Sequence, residues 1–133
     1  MSRRRVIELP NISHAAPIPT ATVIGNFLAS SAIFGADQAT GTLPHEPEVE
    51  IACLFENVNT VLTLAGGSLA DVLRMDVFVR DNVVRDLINK EWMLAFPDER
   101  DRPARHITVI TALPALAQIE MIAVLPAEAS EKP

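Results

Sequence analysis

The spacing of apolar residues predicts a chain of six strands and two helices in the order β-β-β-α-β-α-β-β. The strands are the segments where β-branched and other apolar residues alternate with polar ones or run together. They span 5–9, 21–24, 27–34, 72–79, 107–111 and 119–125. Gly25 and Asn26 separate the second strand from the third, a pair suited to a tight hairpin turn.

The first helix is predicted to begin near Pro47. Glu48 and Glu50 lie in its first turn, where the positive end of the helix dipole favours acidic side chains. Gly66 and Gly67 end the helix. Between these ends, six apolar residues at spacings of three and four form one stripe: Ile51, Leu54, Phe55, Val58, Val61 and Leu62.

A second helix is predicted after Asp81 or Asn82, either of which can cap it. It ends at Phe96-Pro97, because a residue before proline disfavours helical backbone. Trp92 lies beside its predicted apolar positions, which are Val84, Leu87, Ile88, Met93 and Leu94.

Two helices among six strands predict an α+β fold, in which one layer of helices covers one face of a mixed six-stranded sheet. The 133 residues fit a single domain over 1–133. About half of them, 49%, are hydrophobic, so the second sheet face is expected to be apolar as well. Packing against copies of the same chain would bury that face, and we therefore expect a closed oligomer.

Charge and composition argue against several classes of function. The net charge is −6 and the one basic run is Arg3 to Arg5, whereas proteins that bind nucleic acids carry a basic stripe that releases counterions from phosphate. Apolar runs fall short of the roughly 20 residues that span a membrane, and no leader is visible, so a cytoplasmic protein is expected.

The sequence also predicts no metal site and no cofactor. Cys53 is the one cysteine, which excludes a disulfide within the chain and a multi-cysteine site. His14, His45 and His106 lie far apart and lack the spacing of metal ligands.

Arg105 and Glu120 are the main candidates for chemistry, because both border apolar strands and charges are seldom buried without a partner. They can be a structural ion pair or strand-edge charges in water. Alternatively, Arg105 binds a carboxylate substrate through its planar fork, and Glu120 takes a proton from water. If residues 113–117 form a hairpin loop, Glu120 pairs near Ile110 and not near Arg105.

Other polar residues allow a structural and a functional interpretation. Ser30 and Ser31 lie in an apolar strand, where their hydroxyls can bond neighbouring backbone or orient a substrate. Asn89 can cap or pack the second helix or contact a ligand. His14 and His106 can face solvent or bind a ligand.

Eight short motifs follow one another in order along residues 12–126 and together indicate a family. They are Gly25 to Ile33, Thr40-Gly41, Glu56-Asn57-Val58, Ala65 to Val72, Asp76 to Val79, Pro103-Ala104-Arg105, Leu113-Pro114 and Ile119-Glu120. Together they resemble the Rid family, the reactive intermediate deaminases also called the YjgF family. The resemblance implies a chorismate-mutase-like homotrimer with active sites in the clefts between subunits.

The resemblance also implies cofactor-free hydrolysis of an enamine or imine acid, such as 2-aminoacrylate, to a 2-oxo acid and ammonia. Arg105 matches the arginine that binds the substrate carboxylate, and Glu120 matches the glutamate that positions or activates water. Ser30 matches a serine of the pocket, and Ile107 stands where family members contribute backbone groups.

Two features depart from the family pattern. Ser31 replaces a typical glycine, and Pro17 lies near the position of a tyrosine that this chain lacks. A larger aminomuconate-type acid therefore remains an alternative substrate. The alternative function is that of a regulatory trimer, which binds small carboxylates without catalysing a reaction.

Overall fold

The chain begins with three short antiparallel strands in the computed structural model, which describes residues 2–127. They are β1 (Arg4–Ile7), β2 (Ala21–Ile24) and β3 (Phe27–Ser30). Gly25 has a φ of 61°, the left-handed backbone that the first central residue of a type II′ hairpin turn adopts. The predicted hairpin between the second and third strands is therefore confirmed.

The predicted strand 27–34 is interrupted. After β3, a second segment β4 (Ile33–Phe34) pairs with the same neighbour, β7 (Ala117–Val124). Ala29 is in register with Ile122 and Ile33 with Ile119, so three residues oppose two, which is a β-bulge. The sheet consequently has seven strand segments in six positions, where the pattern alone predicted six unbroken strands.

The first helix, α1 (Pro47–Ala65), begins at the predicted proline and ends at Gly66, whose φ is 90°. The second helix, α2 (Val84–Ala95), ends at Phe96 as predicted. All six predicted apolar positions of α1 are buried. On α2 the prediction was partly wrong, because four-residue steps bury Val84, Ile88 and Trp92 and leave Met93 and Leu94 59% and 69% exposed.

Strand β5 (Val72–Val79) lies next to the edge of the sheet. It pairs in parallel with β6 (Ala104–Val109) and antiparallel with β7. The sheet order is β1-β2-β3-β7-β5-β6, with β4 beside β7. The expected hairpin between the last two strands is therefore wrong. Helix α2 carries the chain from β5 to β6, which runs parallel to β5. Strand β5 therefore lies between β6 and β7, and Glu120 is opposite Asp76 rather than Ile110.

The two sheet faces differ in what covers them. The face toward the helices carries the core, including Met75, Val77 and Ile119, all fully buried. On the other face, no helix of residues 2–127 covers the apolar side chains Val6, Phe27 and Ile122, which are 57%, 63% and 42% exposed. The architecture confirms the predicted α+β fold and leaves the apolar face that the sequence predicts to pack against other copies.

Candidate active site

Arg105 lies inside β6, in register with Met75 of the helix-covered face. Its guanidinium carbon is 4.8 Å from the centroid of the Trp92 ring. A guanidinium over the face of an indole is held by the ring quadrupole, most strongly where water is excluded, and Trp92 is buried. The helix α2 therefore supplies a platform that fixes the direction of Arg105.

The guanidinium of Arg105 is partly desolvated and has no counter-charge among the residues that the structure describes. Its Nη1 atom is buried and has no hydrogen-bond partner within residues 2–127, whose one ion pair joins Arg74 to Asp76 at 3.0 Å. Burial lowers the pKa of Arg105, and the positive charge of Arg85 lowers it further. Because buried charged groups are normally paired, this arginine has the character of an anion site.

A polar stripe of α2 flanks Arg105. Arg85, Asn89 and Trp92 follow at spacings of four and three, so they project from one side of the helix. Asn89 and Arg85 are both half-buried. Sequence reasoning selected Asn89 and missed Arg85, although the spacing to Trp92 could have identified it.

Glu120 lies on the opposite face of the sheet from Arg105. It is in register with Asp76, which in turn is in register with His106. Paired residues point to the same face, so these three side chains form a row on the face without helices. Glu120 is half-buried and His106 is exposed. Arg105 and Glu120 of one chain therefore do not form a common pocket.

The β-bulge positions a second group of candidates opposite Met121 and Glu120. The Ser30 Oγ accepts a hydrogen bond of 2.9 Å from the Met121 backbone N–H. The Ser31 backbone N–H donates 2.9 Å to the Thr20 carbonyl. Both serines are half-buried. Because its oxygen already accepts a bond, Ser30 keeps its own hydroxyl proton to donate.

His14 reaches the same bulge from the N-terminal segment. Its Nε2 is 2.7 Å from the Ala32 carbonyl oxygen, and its ring centroid is 6.2 Å from that of Phe34. A carbonyl only accepts, so Nε2 must carry the proton. In the neutral ring, Nδ1 is then an acceptor, and it is buried with no partner in the described part of the chain.

The candidates thus form two groups. Arg105, Asn89 and Ile107 lie on the helix-covered side near the edge strand β6, since Ile107 is in register with Val77. The other group surrounds the bulge and the row of Glu120, and consists of His14, Ser30, Ser31 and Glu120, with His106 at the end of the row.

The possible metal ligands of residues 2–127 are dispersed, and Cys53 is the one thiol of the chain. No group of three or more His, Cys, Asp or Glu residues there could hold a metal ion. Burial raises the pKa of the Cys53 thiol, and nearby carboxylates add to the effect, which disfavours a thiolate nucleophile. Within the same residues, no helix is long and apolar enough to cross a membrane.

Comparison with known proteins places this geometry in context. A family model described as endoribonuclease L-PSP matches residues 11–125. The chain is 30% identical over 110 residues to the 3-aminoacrylate deaminase RutC of Acinetobacter baylyi, covering 82% of this chain and 86% of that protein.

Solved structures agree with this relationship. A putative endoribonuclease from Thermotoga maritima has a TM-score of 0.81 at 29% identity, covering 92% of this chain and 98% of that one. RidA from an Antarctic Psychrobacter has a TM-score of 0.81 at 25% identity, covering 94% of this chain and 100% of that one.

Proposed function

The chain belongs to the Rid family, and on that basis we propose that it hydrolyses a reactive enamine or imine carboxylic acid to a 2-oxo acid and ammonia. The observation that carries the proposal is Arg105, a desolvated guanidinium with an unpaired Nη1. Such a group suits the carboxylate of an imino acid, which it can grip through two parallel hydrogen bonds.

The reaction needs positioning and one proton acceptor. An enamine substrate first tautomerises to the imine, whose carbon is electrophilic. A water molecule adds to that carbon while Glu120 accepts one of its protons, which gives a carbinolamine. Glu120 returns that proton to the nitrogen, the hydroxyl proton of the carbinolamine also moves to the nitrogen, the C–N bond breaks, and ammonia leaves as the 2-oxo acid forms.

The remaining candidates have distinct proposed roles. The free hydroxyl proton of Ser30 can donate to the substrate, and the amide of Asn89 can do so from the Arg105 side. His14 offers Nδ1 as an acceptor for the substrate nitrogen or for water. The backbone of Ser31 and Ile107 lines the pocket, and His106 stands at its exposed end.

The opposite orientations of Arg105 and Glu120 support a proposed site that is built from two copies of the chain. Arg105 lies on β6, at the edge of the sheet, where a neighbouring chain can approach it. We propose a homotrimer in which Arg105 of one subunit faces Glu120 and the bulge of the next. The uncovered apolar face favours such an assembly.

The test measures ammonia release from imino acids generated in situ by an amino-acid oxidase. Arg105→Ala and Glu120→Gln should each abolish the acceleration. Trimers refolded from an equal mixture of the two variants should recover about a quarter of wild-type activity, because each site is complete when one subunit supplies Arg105 and its neighbour supplies Glu120.

Two outcomes would contradict parts of this proposal. A mixture as inactive as its components would show that both residues act within one chain. A wild-type protein that binds small carboxylates but accelerates no imine hydrolysis would instead fit a non-catalytic, regulatory trimer. A panel of larger unsaturated amino acids tests the aminomuconate-type alternative.

A further inference from the structure

Two guanidiniums lie along one side of α2 and form no ion pair with an acidic residue of the described part of the chain. Arg105 stacks on Trp92, and Arg85 projects from the same side of the helix two turns earlier, about 10 Å along its axis. The two groups lie close enough for the charge of Arg85 to act on Arg105. Like charges in a partly desolvated region repel each other, and an anion bound between them would relieve this repulsion.

Neighbouring acidic residues do not relieve the repulsion. Asp86 and Glu91 belong to α2, but helical geometry turns them about 100° and 120° away from Arg85. Asp81 lies four residues before Arg85, and its Oδ1 accepts a hydrogen bond of 2.8 Å from the Val83 backbone N–H. Within residues 2–127 none of these three carboxylates forms an ion pair, since Arg74–Asp76 is the one pair there. Arg85 Nη2 donates to the Oδ1 atom of the neutral Asn82 side chain at 3.4 Å, which is at the long limit for a hydrogen bond.

We infer that the site selects an imino acid with two carboxylates: Arg105 binds the carboxylate beside the imine carbon, and Arg85 binds the distant one. A monocarboxylate neutralises one guanidinium and leaves the other unpaired. A second carboxylate compensates the remaining charge, and Asn89, between the two arginines on the stripe, can hydrogen-bond the connecting part of the ligand.

The hydrolysis of a dicarboxylic imino acid rests on the proposed function, whereas the binding of a dicarboxylate by Arg105 and Arg85 does not. Arg85 is accordingly a specificity residue rather than a group that acts on the reacting bond. Its loss should weaken the binding of dicarboxylates more than that of a monocarboxylate imine, whose single carboxylate is bound by Arg105.

The test compares 2-iminopropanoate with 2-iminosuccinate and 2-iminoglutarate, each generated in situ. For the wild-type protein, kcat/KM should be about tenfold or more higher for the better dicarboxylate, the size expected for one charge-assisted contact. Arg85→Gln should remove this preference, and Arg85→Lys should keep part of it because the charge remains. Lys90→Gln is the matched control, since it removes one exposed charge from the same helix.

Binding separates this inference from the proposed function. Calorimetry with glutarate, succinate and butyrate needs no turnover. If no imine is hydrolysed but dicarboxylates bind more tightly through Arg85, the deaminase assignment fails and the inference stands. If the wild-type protein does not prefer dicarboxylates, or Arg85→Gln weakens all ligands equally, the inference fails. It also fails if Arg85→Gln dissociates the assembly in sedimentation, because Arg85 would then pair with a neighbouring subunit.

Discussion

Trp92 should set the affinity of the site for carboxylates by holding Arg105 in place. It is 8% exposed and lies between two contacts, the guanidinium of Arg105 at 4.8 Å and the ring of Phe96 at 4.8 Å. Replacing Trp92 by Leu keeps much of the apolar volume and removes the aromatic face. Arg105 then retains its charge but loses the surface that directs it.

The expected loss of carboxylate affinity in Trp92→Leu follows from the position of Arg105 over the indole ring. A cation over an indole contributes about 0.5 kcal/mol at an exposed site and about 2 kcal/mol where water is excluded. That range corresponds to a rise of about 2-fold to 30-fold in KM. The core also loses packing, but less than the roughly 3–5 kcal/mol of a truncation to Ala, so assays well below the melting temperature report on folded protein.

Steady-state hydrolysis of an imine substrate measures the effect. Trp92→Leu should raise KM with little change in kcat, and Trp92→Phe should cost less because a ring remains. Phe96→Leu is the control, since it removes an aromatic core residue that touches Trp92 while the indole face toward Arg105 remains. A double-mutant cycle with Arg105→Lys, which lacks the planar fork, isolates the coupling.

The reasoning fails if Trp92→Leu and Phe96→Leu raise KM equally, because a general loosening of the core would then explain both. It also fails if the effects of Trp92→Leu and Arg105→Lys are additive. Additivity would mean that the indole does not act through the guanidinium.

Two further predictions concern stability. Asn57 is fully buried, and its Nδ2 donates to the carbonyls of Phe34 and Ala36 at 2.7 and 2.9 Å. Asn57→Ala removes both of these buried hydrogen bonds and should lower the free energy of unfolding in urea by about 2–4 kcal/mol, whereas the exposed Asn59→Ala should change it by less than about 0.5 kcal/mol; equal effects would contradict this. Burial raises the pKa of the Glu50 carboxyl above its usual range, so the folded state binds this proton more tightly than the unfolded state. The protonated carboxyl therefore contributes to the free energy of unfolding at low pH, and this contribution is lost as pH rises through the pKa of the folded state. Glu50→Gln should remove that loss, and an unchanged pH dependence of unfolding would refute it.

The elements of this fold were predictable because their signals are local. Strand 72–79 alternates between buried and less buried residues from Met75 to Val79, and α1 carries its apolar stripe from a proline to a glycine. Pairing between distant strands has no such local signal. The position of β5 between β6 and β7 depends on the crossover through α2, and the bulge at Ser31 appears only when β3 and β4 both pair with β7.

The candidate site was predictable by residue type and less so by position. Motifs selected Arg105 and Glu120, but the expected hairpin gave the wrong neighbour for Glu120. The alternation of apolar and polar residues nevertheless indicated the sheet face to which each of these two side chains points. Arg105 alternates in phase with Ile107 on the helix-covered face, whereas Glu120 stands between Ile119 and Met121, both buried on that face. Arg85 was missed because a lone arginine on a helix usually indicates a solvated surface.

Because Arg105 and Glu120 point to opposite faces of the sheet, the proposed active site would be complete only in an assembly of several chains. Deaminase activity would then depend on association. The face that carries Glu120 also carries Phe27 and Ile122, whose exposed apolar area favours association. Arg105 lies on the edge strand, whose free side is open to another chain. In the proposed trimer, the association that buries apolar surface would also bring the two groups together. An isolated chain would then hold both groups without a complete site, and activity should fall on dilution in step with dissociation.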